Sequence, residues 1–269
     1  MADPQAPSAI PAIAFTDIWK RFTRSDGRPL DVLQAIGFEV PAGEIVAIVG
    51  PSGSGKSTLL NIAAGLLAPD RGRAAVMGEP TDGAVAWHRV GYMFQDDRLL
   101  PWRTACKNVA LALEARPVAA AERRRRAVEA LRLVELAEFL DAFPHQLSGG
   151  MRSRVALARS LVGEPDILLM DEPFSRLDAQ TRSVMHRELL RIQGLRRMSI
   201  LFVTHDVEEA VILADRIVVL RPRPGRLRAQ LQVDLPHPRI GTDAATALVA
   251  QLRGLLAEGD SADGLKEAS

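Results

Sequence analysis

The chain has 269 residues, 47% hydrophobic and 25% charged, with 34 basic against 33 acidic side chains for a formal charge of +1. This composition excludes a disordered chain, and the near balance of charge removes any whole-molecule electrostatic argument for nucleic acid as a partner. The single cysteine, Cys106, can form neither an internal disulfide nor a thiolate metal cage, which suits a reducing compartment. No uncharged run reaches the ~18 residues of a membrane span, and the opening MADPQAPSAIPAIAFT lacks the basic start of a secretory signal.

In chain order, residues 1–11 carry three prolines and residues 257–269 are small and polar, so both read as loosely held ends. Ile13–Trp19 and Gly37–Val40 alternate like antiparallel strands. Short apolar runs at Ile45–Val49, Val90–Phe94, Ile167–Met170, Ile200–Val203 and Ile217–Leu220 suit strands covered on both faces. Residues 104–163 hold several stretches of helical period and no good strand. The pattern predicts an α/β protein with a largely parallel sheet, an N-terminal antiparallel β subdomain and a helical subdomain inserted at about 96–164. The main domain is expected over 12–225, followed by a C-terminal extension over 226–269 with a flexible end.

Gly50, Pro51, Ser52, Gly53, Ser54, Gly55, Lys56, Ser57 and Thr58 lie between the run Ile45–Val49 and the helical stretch that starts near Leu59. This is GxxxxGK[ST] in its strand, loop, helix setting, the signature of a P-loop NTPase core. Its glycines let backbone wrap a polyphosphate, and amides at the helix start point at it. Lys56 can reach the β and γ phosphates, and the Ser57 hydroxyl can ligate Mg²⁺. The chain writes its positive charge as 30 Arg and only four Lys, so a lysine here selects a compact point charge.

The run Ile167–Met170 ends in Asp171 and Glu172. In a parallel sheet the carboxyl ends of strands line one crevice, so this pair can stand beside the phosphate loop despite the sequence distance. Asp171 would hold Mg²⁺, and Glu172 would orient or deprotonate an attacking water. Leu147-Ser148-Gly149-Gly150-Met151 opens a helix expected over Arg152–Val162 and offers a second anion site at a helix N-terminus. Ser175-Arg176-Leu177-Asp178 follows the carboxylates, and Thr204-His205-Asp206 follows the run Ile200–Val203.

Taken in order, GPSGSGKST, the glutamine of YMFQ (Gln95), LSGGM, ILLMDE, SRLD and THD resemble the nucleotide-binding subunit of ATP-binding cassette (ABC) transporters, over residues 12 to about 221. The resemblance implies that Ser148, Gly149 and Gly150 contact the γ phosphate of ATP held by a second copy arranged head to tail. It implies that Gln95 touches Mg²⁺ or the attacking water, that His205 contacts the γ phosphate, and that Phe22 stacks on adenine. Phe22 also suits a core aromatic. The pattern is broken by Met151 and Ser153, where glutamine is frequent, and by Arg176, at a position usually small.

With one cassette and no span, the chain is similar to an importer's ATPase subunit, placed peripherally at the cytoplasmic face of the inner membrane. Leu99-Leu100-Pro101-Trp102, followed by Asn108-Val109, and the turn Arg221–Arg226 are similar to the nitrate, sulfonate and taurine branch. That implies a separate integral permease docked at Gln95–Trp102, an associated substrate-binding protein, and uptake of a small anionic or sulfur- or nitrogen-containing solute. Packing of Trp102 inside the helical block is the plainer alternative. Arg123–Arg126 reads first as a solvated helix face. A soluble ABC ATPase acting on nucleic acid or ribosomes is the competing function, and a P-loop kinase would leave LSGGM and THD without a role.

Overall fold

The computed structural model describes residues 10–81 and 87–263. The chain opens with β1 (Ile13–Thr23), β2 (Pro29–Val40) and β3 (Ile45–Val49), then α1 (Lys56–Ala63), β4 (Arg71–Val76), β5 (Glu79–Pro80) and β6 (Val90–Met93). A helical block follows: α2 (Ala105–Ala110), α3 (Ala120–Leu133) and α4 (Gly149–Leu161). The remainder is β7 (Ile167–Asp171), α5 (Ala179–Arg196), β8 (Ser199–Thr204), α6 (Val207–Leu213), β9 (Arg216–Arg221), β10 (Arg226–Gln232) and α7 (Asp243–Asp263).

Among the described residues two sheets form, an antiparallel one in the order β2-β1-β4-β5 and a larger one in the order β10-β9-β3-β8-β7-β6. In the larger sheet β9, β3, β8, β7 and β6 run parallel, while β10 pairs antiparallel to β9 at the edge. The central strands β3, β7 and β8 are buried at every position, as their unbroken apolar runs require. Their side chains still alternate. Ala47, Leu168, Met170, Ile200 and Phe202 face one core, which extends under the helical block. Val46, Ile48, Leu169, Leu201 and Val203 face the other, shared with α1 and the antiparallel sheet.

Several boundaries differ from expectation. The N-terminal strands extend beyond Trp19 to Thr23 and back from Gly37 to Pro29. Residues 71–76 and 226–232 also form strands, each opening on alternating arginines; β10 lies at the edge of its sheet, and β4 is covered on its outer side by only the two-residue β5. The expected division at 225 falls inside the β9–β10 hairpin. Helix α4 starts at Gly149 rather than Arg152, with Ser148 as N-cap accepting the Met151 amide at 3.2 Å. Helix α7 continues through residues 257–263, part of the segment read as a loose end; residues 1–9 and 264–269 lie outside the described residues.

The C-terminal region is tied to the main unit by Arg239, which is buried. Its guanidinium donates to Val211 O at 3.0 Å and Ala214 O at 2.5 Å, satisfying carbonyls at the end of α6. Burial lowers its pKa, so the arginine is held by geometry that matches its fork of donors.

Candidate nucleotide site

The phosphate loop follows β3 and turns through Gly53 and Gly55, both at positive φ, into α1. A Cβ at Gly55 would lie 2.4 Å from Leu33 Cδ2, and one at Gly50 would lie 2.8 Å from Leu220 O, so the loop is seated tightly on its neighbours. Gly55 caps α1 without a side chain, which leaves the first amides of that helix unpaired and directed at the loop. Lys56 is buried, and its ammonium donates to Gly50 O at 2.8 Å and Pro51 O at 3.0 Å. Burial lowers its pKa, opposed by the nearby Glu172 and Asp171.

Parallel pairing of β3, β8 and β7 brings the second half of the site to the same edge. Ser57 Oγ donates to Asp171 Oδ1 at 3.0 Å, joining the loop to the end of β7 across 114 residues. Burial raises the pKa of Asp171, partly offset by the Ser57 hydrogen bond. Next in sequence, Glu172 adopts φ 46°, a left-handed conformation that non-glycine residues rarely take. Its Oε2 accepts from Gln95 Nε2 at 3.2 Å and lies 3.3 Å from His205 Nδ1. One carboxylate is thus gripped from two other strand ends, those of β6 and β8.

Gly50, Lys56, Ser57, Asp171, Glu172, Gln95 and His205 therefore gather at one sheet edge. Pro51, Ser52, Gly53, Ser54 and Thr58 follow the loop, and the buried Ser54 hydroxyl has no hydrogen-bond partner among the described residues. Ser148, Gly149 and Gly150 lie at the start of α4, where Ser148 Oγ accepts the Met151 amide at 3.2 Å. Phe22 is 39% exposed at the end of β1, with Lys20 Nζ 5.6 Å from its ring centre, which removes the core reading. Trp102 is 71% exposed, so it is not packed inside the helical block. The turn before it is fixed instead by buried Asn108, which accepts the Leu100 amide at 2.7 Å and donates to the Arg103 carbonyl at 2.9 Å.

Sequence reasoning assigned no role to Gly225. A Cβ there would fall 2.2 Å from Ser54 O, and Gly225 also exchanges backbone hydrogen bonds with Val32 O and Gln34 N at 2.8 and 2.9 Å. The turn between β9 and β10 thus props the phosphate loop from beneath. Its glycine was visible in RPRPG, but the partner was not.

The fold and this edge define a phosphate-loop ATPase of the ABC class. Residues 33–175 match the family model described as ABC transporter, and the chain belongs to that family. It is 45% identical over 229 residues to the taurine import ATP-binding protein of Rhizobium johnstonii, covering 85% of this chain and 87% of that one. It is 46% identical over 226 residues to the aliphatic sulfonates import ATP-binding protein of Granulibacter bethesdensis, covering 84% and 88%. A solved dimeric ATP-binding cassette in a post-hydrolysis state with ADP and Pi superposes with a TM-score of 0.76 at 30% identity, covering 83% of this chain and 100% of that one.

Proposed function

We propose that this chain is the ATP-hydrolysing subunit of an importer for a small sulfonate of the taurine or alkanesulfonate type. Two copies close head to tail around two ATP molecules and drive a separate integral permease. The importer reading is supported by the relatives' names and by the ATPase edge. The substrate class rests on the relatives' names alone. The solved dimeric cassette supports the paired arrangement. Among the described residues no helix is long and apolar enough to cross a membrane. We place the chain on the cytoplasmic face, where ATP is available, with a substrate-binding protein serving the permease from the other side.

The observation that carries the catalytic reading is the convergence on Glu172. Its carboxylate, oriented by Gln95 and His205, accepts a proton from the water that attacks the γ phosphate. Lys56, released from the Gly50 and Pro51 carbonyls, turns its charge to the β and γ phosphates. Mg²⁺ suits the donors present: the Ser57 hydroxyl and Asp171 carboxylate are hard oxygens already 3.0 Å apart. Among the described residues no cluster of three His, Cys, Asp or Glu side chains could hold a metal ion. When bound, Mg²⁺ neutralises phosphate charge that builds during transfer. Ser148, Gly149 and Gly150 of a second copy complete the γ-phosphate shell, and Phe22 stacks on the base.

The permease is proposed to dock beside Gln95. A cleft of about 330 Å³, lined by Tyr92, Phe94, Arg98, Arg116 and Arg159, opens there between the sheet and the helical block. Replacing Glu172 by Gln tests the chemistry: single-turnover hydrolysis should fall by about 10² or more, with ATP still bound. Hydrolysis at the parental rate would remove Glu172 as the base. Purification from membranes with a hydrophobic permease supports the importer, whereas purification with RNA or DNA supports the nucleic-acid ATPase.

A further inference from the structure

Arg176, the unusual cation in SRLD, reaches back to the residue after Gln95. Its Nη2 donates to Asp96 Oδ1 at 2.5 Å. The two segments involved already meet once, through the Gln95–Glu172 hydrogen bond at 3.2 Å. Asp96 and Arg176 are the next residue on one side and four residues on at the other, so the ion pair is a second fastening between the same two segments. It fixes the approach of one to the other. A single hydrogen bond would let the exposed Gln95 swing.

The adjoining residue is tied elsewhere. Asp97 Oδ2 accepts from Arg152 Nε at 3.1 Å, and Arg152 also donates to Leu147 O at 2.9 Å, directly before Ser148. Arg159 donates to the Asp97 carbonyl at 2.5 Å and the Arg98 carbonyl at 2.9 Å. Three consecutive residues therefore bind three segments. Gln95 holds the catalytic carboxylate, Asp96 the SRLD loop, and Asp97 the helix that opens with Ser148.

We propose that Arg176 and Asp96 are a positioning pair that keeps Gln95 on Glu172, so that movement of the SRLD loop alters the rate of hydrolysis. The inference rests on the proposed catalytic role of Glu172 and deepens it. Both side chains are substantially exposed, at 46% for Arg176 and 74% for Asp96, so the pair contributes weakly to stability and its loss leaves the fold intact.

The test uses the purified full-length chain. Arg176→Ala and Asp96→Ala should each lower kcat by roughly two- to fivefold, the range open to an exposed pair, with the KM for ATP within about twofold of the parent. The double replacement Arg176→Asp with Asp96→Arg should restore kcat, as should Arg176→Lys in part. Added salt should slow the parent toward the level of the single variants while affecting those variants less, because it screens the same contact. Unchanged kcat in both single variants would overturn the proposal. So would a swapped chain as slow as the product of the two losses. A loss confined to Arg176→Ala would assign the arginine to the second copy and overturn the pair as well. Glu172→Gln, measured in parallel, separates the two ideas: a parental rate there removes the base while the swap still reports on the pair.

Discussion

At the residue scale, the site holds two charges against burial. The folded chain binds the Asp171 proton more tightly than the unfolded chain does, since burial raises its pKa. Ionising Asp171 therefore costs stability, a cost absent below the ordinary carboxylate pKa and growing as pH rises through the raised value. Lys56 has the opposite sign and the same consequence: its pKa is lowered, so stability is lost as pH falls through that value. Bound phosphate and metal would supply the missing counter-charge. Asp171→Asn keeps an oxygen for the Ser57 hydroxyl while deleting the charge. Its ligand-free thermal midpoint should rise by roughly 2 °C, and the further rise on adding MgATP should shrink or vanish. A lower ligand-free midpoint with an undiminished MgATP effect would contradict this. These residues were legible because their types and order admit few other uses. The left-handed backbone of Glu172 was not, since no sequence signal marks a strained glutamate.

At the element scale, what could be read was the parallel core, because strands buried on both faces need unbroken apolar runs, as Ile45–Val49 and Ile167–Met170 show. Strands near the sheet margins escaped. Arg71–Val76 and Arg226–Gln232 each open on two alternating arginines and are only partly buried, β10 at the sheet edge and β4 beside the two-residue β5. The start of α4 escaped for another reason: two glycines disfavour helix, but the Ser148 cap holds them in the first turn. The support of the phosphate loop by Gly225 joins residues far apart in sequence, and only the assembled hairpin reveals it. Gly225→Ala should destabilise the chain by about 1–3 kcal/mol, as overpacking against fixed backbone does. It should also weaken ATP binding measured by calorimetry, because the added carbon displaces Ser54. Parental stability and affinity would show that the turn yields without moving the loop.

At the scale of the whole molecule, the described residues offer a phosphate-loop half-site and, at the start of α4, a second cap-bearing helix end. Lys56, Ser57, Asp171, Glu172, Gln95 and His205 converge, while Ser148 caps α4. In the head-to-tail pair proposed above, a two-fold axis would present each copy's α4 to the other's phosphate loop and make both useful at once. Permease movement would then follow from closure of that pair, transmitted through the helical block that carries both α4 and the Leu99–Trp102 segment.

A complementation assay tests this arrangement most directly. Lys56→Ala and Ser148→Ala chains, each purified and each nearly inactive, are mixed under conditions of subunit exchange. Mixed pairs should carry one intact composite site, restoring about a quarter of the sites if association is random. ATP hydrolysis that stays at the average of the two separate variants would show that each chain works with its own Ser148, contradicting the shared site.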